Sequence, residues 1–159
     1  CHAGETRLRK TGVQALTRQS AAAYEDLISF IKDPDSEVRQ VVYNFLAQHT
    51  NPRIPNIILD YLEKASFSVK EKNSLLLLYE ALGRCAKDSP PAWLSYQLMA
   101  RPWHLGKLRR IHRLGAALAM ACSSSPEAEQ TLKKASRSIW PTLRRAVHQA
   151  EELLNERAE

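Results

Sequence analysis

At 159 residues, with 44% hydrophobic residues, the chain has the size and apolar content of one ordinary domain. Glycine is scarce, and Ala, Leu, Lys, Arg, Glu and Gln fill the stretches between clustered prolines, a composition of helices and short connectors that excludes a sheet-built fold. No run of about eighteen uncharged apolar residues exists, and the leucines after Ser74 are soon interrupted by Glu80 and Arg84, so no helical membrane span is expected.

The chain begins at Cys1 with no initiator methionine. A processed product, or a piece excised from a longer chain, is expected. A cytoplasmic protein is the first reading, and a mature lipoprotein or exported fragment beginning at Cys1 is the alternative. Helix-like patterning starts near Thr6 and carries the pair Leu8-Arg9. Ser20 to Lys32 reads as a further amphipathic helix, followed by a tight turn at Asp33-Pro34-Asp35. Asp35 or Ser36 can cap the helix that follows, and Glu37 suits its positive dipole end. In that helix Val38, Val42, Phe45 and Leu46 share one face.

Asn51-Pro52 to Ala65, Pro90-Pro91 to Ala100 and Ser125-Pro126 to Ala135 read as further helices, with Pro52, Pro91 and Pro126 suited to a first helical turn. Between them an apolar residue followed by a basic one recurs at Leu8-Arg9, Val38-Arg39, Val69-Lys70 and Leu108-Arg109. A degraded copy stands at Ile139, where Trp140 replaces the base. The copies lie roughly 30, 31, 39 and 31 residues apart, close to the length of a two-helix unit. In the third copy Val69, Leu76, Leu77 and Leu82 repeat the apolar stripe, and we expect Val42, Leu46, Leu77 and Leu82 to be buried. Pro102 ends a helix and stretches the third spacing, while Pro141 either starts the last helix late or kinks it.

The stretch Asp33-Pro34-Asp35-Ser36-Glu37-Val38-Arg39, followed by Val42 and Leu46, resembles the inter-helix turn and second helix of a HEAT-like repeat, with residues 24 to 49 as the clean match. The resemblance implies an all-α domain over residues 1–159: a right-handed superhelix of about four to five stacked antiparallel helix pairs, an alpha-alpha solenoid. In such repeats a turn aspartate and an early basic residue often pair between neighbours, a role that would fall here to Asp33 or Asp35 with Arg39. The remaining copies lack the Asp-Pro-Asp turn. Stacked units present an extended rigid surface, so the resemblance implies binding of a macromolecule, as an adaptor or scaffold, and not enclosure of a small molecule.

No phosphate-binding glycine loop, H-E-x-x-H helix or G-x-S-x-G elbow occurs. Cys1, Cys85 and Cys122 are too widely spaced for a zinc or disulfide framework, and Cys85 and Cys122 read as buried small apolar residues. His2, His49, His104, His112 and His148 are dispersed and read as surface or capping residues. No catalytic, cofactor or metal residue is assigned. Some HEAT-like proteins are DNA glycosylases that combine a basic concave face with aromatic and acidic groups. Here Trp93, Trp103 and Trp140 read as core residues, and no acidic residue lies between Asp88 and Glu127, which ranks a repair-type enzyme below a binding module.

Positive charge is concentrated late in the chain, at Arg101, Lys107, Arg109, Arg110, Arg113, Lys133, Lys134, Arg137, Arg144 and Arg145, against Glu127 and Glu129. A helical projection of Leu105 to Cys122 puts Leu105, Leu108, Ile111, His112, Gly115 and Ala119 on one side and Arg109, Arg110 and Arg113 on the other. Arg101, Lys107, Arg109, Arg110, Arg113, Arg144 and Arg145 are therefore the candidate binding residues. Clustered positive potential suits an anionic partner. With no base-reading motif in the chain, an acidic protein surface is the expected partner and sequence-independent nucleic-acid binding the alternative. The acidic end, Glu151, Glu152, Glu156 and Glu159, is placed to cap the basic rod or pack beside its own arginines.

Overall fold

The computed structural model describes residues 2–18, 24–49, 54–100 and 106–156, and every regular element among them is helical. In chain order these are α1 (His2–Arg18), α2 (Tyr24–Ser29), α3 (Ser36–Gln48), α4 (Ile54–Lys64), α5 (Lys72–Cys85), α6 (Ala92–Met99), α7 (Lys107–Ala121), α8 (Pro126–Ser136) and α9 (Pro141–Glu156). Short 3-10 turns at Phe30–Lys32 and Val69–Glu71 follow α2 and lead into α5.

Local chemistry explains several helix starts. The Asp35 carboxylate accepts from the backbone N–H groups of Glu37 and Val38, so it takes the capping position and leaves Ser36 as the first residue of α3. The Glu71 carboxylate accepts from both the N–H and the hydroxyl of Ser68, pinning the turn before α5. At α8 the Ser125 hydroxyl accepts from the Glu127 N–H, and Pro126 occupies the first helical position. Pro141 likewise starts α9 and kinks nothing. Pro91 sits one residue ahead of α6, at its cap, and Pro52 and Pro102 lie outside the described residues.

The second helices of the sequence pattern pack on one another in series: α1 on α3, α3 on α5, α5 on α7 and α7 on α9. Their partners pack alongside, α2 on α1, α4 on α5, α6 on α7, and α8 on both α7 and α9. A continuous core runs between them, including Val38, Val42, Phe45 and Leu46 from α3, Leu75, Leu78 and Leu82 from α5, and Ile111, Leu114 and Leu118 from α7. Within it α5 and α7 approach closely. A Cβ on Gly83 would overlap the backbone of Ala119, and one on Gly115 would overlap the Tyr79 ring.

The expected apolar stripe holds at Val42, Leu46, Leu76 and Leu82, which are buried, while Leu77 is half-buried and Val69 exposed. Val69 stands in the 3-10 turn, whose threefold period turns it away from the stripe that α5 continues. The apolar-basic pairs mark the starts of α3 and α7 and the turn before α5. Leu8-Arg9 falls inside α1, and Ile139, 81% exposed, precedes α9.

The ion pairs follow a different rule from Asp33 or Asp35 with Arg39. Arg9 Nε donates to Asp33 Oδ2 at 3.1 Å, and Arg39 pairs with Glu71. In both pairs a base on one helix meets an acid in the turn ahead of a later helix. Arg39 reaches its own turn through backbone acceptors only, the carbonyls of Asp33 at 2.7 Å and Pro34 at 3.0 Å. The Ser68 hydrogen bonds, with Arg39 beside them, hold the Glu71 carboxyl below the usual carboxylate range.

Candidate functional site

The candidate site lies where α7 meets α9. Lys107, Arg109 and Arg110 occupy the first turn of α7, and all three are exposed. Arg144 and Arg145 occupy the start of α9 and are exposed as well. Among the described residues none of these five forms an ion pair with a carboxylate. Arg144 donates instead to the Ser138 carbonyl at 2.9 Å. Arg101 lies outside the described residues. Lys133 and Lys134 are exposed on α8, and Arg137 follows that helix.

Arg113 corrects the helical projection. It is 2% exposed and does not stand on an open basic face beside Arg109 and Arg110. The reason is that α7 is packed on two sides, against α5 and against α9, with α6 and α8 alongside. From Ile111 to Met120 every residue is buried except the half-buried His112, so a two-faced projection has no polar side left to assign. The Arg113 guanidinium donates to the Thr142 hydroxyl of α9 at 3.0 Å and to the carbonyl of Ala100, just beyond α6. Its Nε is buried with no hydrogen-bond partner among the described residues. Burial pushes its pKa down from the usual arginine value, and no carboxylate offsets that.

Around this group the two helices leave a notch of about 90 Å³, lined by Arg110, Arg113, Leu114, Thr142, Arg145, Ala146 and Gln149. Three arginines therefore line one small concavity, with two neutral polar residues and two apolar ones. Thr142 and Gln149 carried no signal in the sequence, because what makes them matter is their position across from α7.

A second, larger concavity, about 610 Å³, opens on the other flank of α7 and is lined partly by Phe67, Trp93, Leu108, Arg109 and His112. His112 reads as a surface or capping residue in sequence, yet its Nδ1 lies 2.9 Å from the buried Tyr79 hydroxyl and its ring meets Phe67 edge-on. Burial depresses its pKa. Trp93 is half-buried and stacks on Tyr79, whereas Trp140 is partly exposed ahead of α9, and Trp103 and His104 lie outside the described residues.

The remaining candidates play local roles. His49 caps the end of α3 and stacks on Phe45, and the exposed His148 pairs with Glu152 at 3.2 Å. Cys85 and Cys122 are half-buried, not fully buried as expected, because each sits at the end of its helix. Burial pushes the Cys122 thiol up to about 11. Glu151 lines a separate concavity with Glu129, so among the described residues the acidic end does not neutralise the arginines of α7. No group of three or more His, Cys, Asp and Glu is placed to hold a metal among the described residues, and none of their helices is long and apolar enough to cross a membrane.

Comparison of the chain with protein-family models, with curated proteins and with solved structures finds no match.

Proposed function

We propose that this chain is a non-enzymatic helical-repeat module, a HEAT-like right-handed stack of antiparallel helix pairs, that binds another protein through an acidic surface on that protein. The serial packing of α1, α3, α5, α7 and α9 supports the stacked reading, as do the neighbour-to-neighbour pairs Arg9–Asp33 and Arg39–Glu71. The observation that carries the partner is the exposed group Lys107, Arg109, Arg110, Arg144 and Arg145, which meets no carboxylate among the described residues. Unpaired cations gathered on adjoining helices raise the local potential and steer an acidic partner into contact.

The test is affinity capture with and without nuclease, comparing the parent protein with an Arg109→Ala, Arg110→Ala, Arg144→Ala variant. A protein retained through nuclease treatment and lost with the variant is the expected result. Capture that disappears with nuclease, together with tight oligonucleotide binding at about 0.15 M salt, where the Debye length is about 8 Å, would assign the surface to nucleic acid.

A further inference from the structure

We infer that the α7/α9 notch is a carboxylate-binding site, which receives an aspartate or glutamate side chain from the protein partner. The inference rests on the protein-binding reading for the identity of that partner and on the notch alone for its chemistry.

Arg113 is the buried cation of the notch. Arginine stays ionised inside a protein, and an isolated buried charge is costly unless an opposite charge meets it. Thr142 and the Ala100 carbonyl satisfy two of its nitrogens but are neutral. Its Nε has no partner among the described residues. The chain carries no acidic residue between Asp88 and Glu127, and the position in α9 that lines the notch is Gln149, not Glu. Arg110 and Arg145 add two more cations to the same concavity. Like charges gathered around a buried cation oppose folding, so an arrangement of this kind is electrostatically complete only with an anion in it.

Size and surroundings select the anion. A water needs about 10–15 Å³ of cavity space, so a notch of about 90 Å³ admits a carboxylate with its last methylene. Leu114 and Ala146 supply apolar wall for that methylene, and guanidinium forks match a carboxylate in two-pronged geometry. A phosphodiester chain is tracked by exposed charges along a surface, whereas Arg113 is buried. Ile139 and Trp140, exposed immediately ahead of the helix that carries Thr142 and Arg145, add the aliphatic and aromatic contact that protein interfaces use.

The experiment titrates the full chain with sodium malonate, inorganic phosphate and sodium chloride at matched ionic strength, reading the Arg Nε–H resonances by NMR and the melting temperature. Malonate is expected to shift the Arg113 Nε–H signal to saturation and to raise the melting temperature above the chloride control. Arg110→Ala and Arg145→Ala, both at exposed positions, should each weaken malonate by about tenfold, a typical effect of losing one charged contact. Gln149→Glu should raise the melting temperature by itself and abolish the malonate shift, because it supplies the carboxylate internally. Arg113→Lys keeps the charge without the fork and should also weaken malonate. Equal responses to chloride and malonate overturn the site, as does a Gln149→Glu variant that still takes up malonate unchanged. Phosphate binding at least tenfold tighter than malonate overturns the carboxylate assignment. Saturable malonate binding with no captured protein would leave the notch standing and remove the protein-partner reading. Capture without malonate binding would do the reverse.

Discussion

Replacing Gly83 by alanine tests the joint between α5 and α7. In an exposed helix the change is favourable by about 1 kcal/mol, since alanine is the better helix former. Here the new Cβ would fall within 3.0 Å of the Ala119 backbone, a separation real Cβ atoms essentially never show. The obstacle is main chain, so no side-chain rotation relieves it. The two helices must part by most of an ångström, and α7 is held on its far side by α9. Overpacking of this kind costs about 1–3 kcal/mol and sometimes more. Because the clash is with backbone on a helix packed on both sides, we expect the upper part of that range and a net loss near 2 kcal/mol. That corresponds to a fall in melting temperature of about 4–8 °C for a domain of this size. Gly12 is the control, because a Cβ there meets nothing within 4 Å, and Gly12→Ala should gain about 0.5–1 kcal/mol. Denaturant unfolding of both variants by circular dichroism measures the two effects. A Gly83→Ala protein as stable as the parent would refute the close approach of α5 and α7.

Truncating Leu46, fully buried in the core, should cost about 2–5 kcal/mol in the same assay, and a loss well under 1 kcal/mol would place its stripe on the surface. A double-mutant cycle on Arg39→Ala and Glu71→Ala should return a coupling of about 1–2 kcal/mol, within the range of contacting charged pairs, and additive single effects would break the neighbour-to-neighbour rule. Burial lowers the His112 pKa below its ordinary value of about 6.5, so the unfolded chain takes up the proton first as pH falls. His112 thus contributes stability that is full above about pH 6.5 and declines as pH drops through that value. His112→Gln should flatten the decline measured by denaturant unfolding between about pH 7.5 and 5.5, and an unchanged slope would assign it to other groups.

Periodicity alone decided most of the helical content. The turn at Asp33-Pro34-Asp35, the cap at Asp35 and the stripe of Val38, Val42, Phe45 and Leu46 are local in origin: each depends on residues within a turn or two of one another. Serial spacing of the apolar-basic pairs likewise marked the helices that pack on one another from α3 to α9. The prolines at Pro126 and Pro141 started helices for reasons contained in the proline ring itself.

Tertiary packing decided what no single helix contains. A projection of α7 sorts residues into two faces, but α7 is covered by α5 on one side and α9 on the other. Arg113 therefore went inside, against Thr142 and the Ala100 carbonyl, while Arg109 and Arg110 stayed in solvent. Glu71 became the partner of Arg39 because stacking brings the next turn within reach across 32 residues of chain. Gly115, like Gly83, is a place where the sequence carried a trace of this, since a glycine inside a strong helix signals a close neighbour. Which neighbour it was, the Tyr79 ring, depended on the alignment of α5 against α7. Burial and charge pairing between helices are properties of the assembled layers, and their energies are set only when distant segments meet.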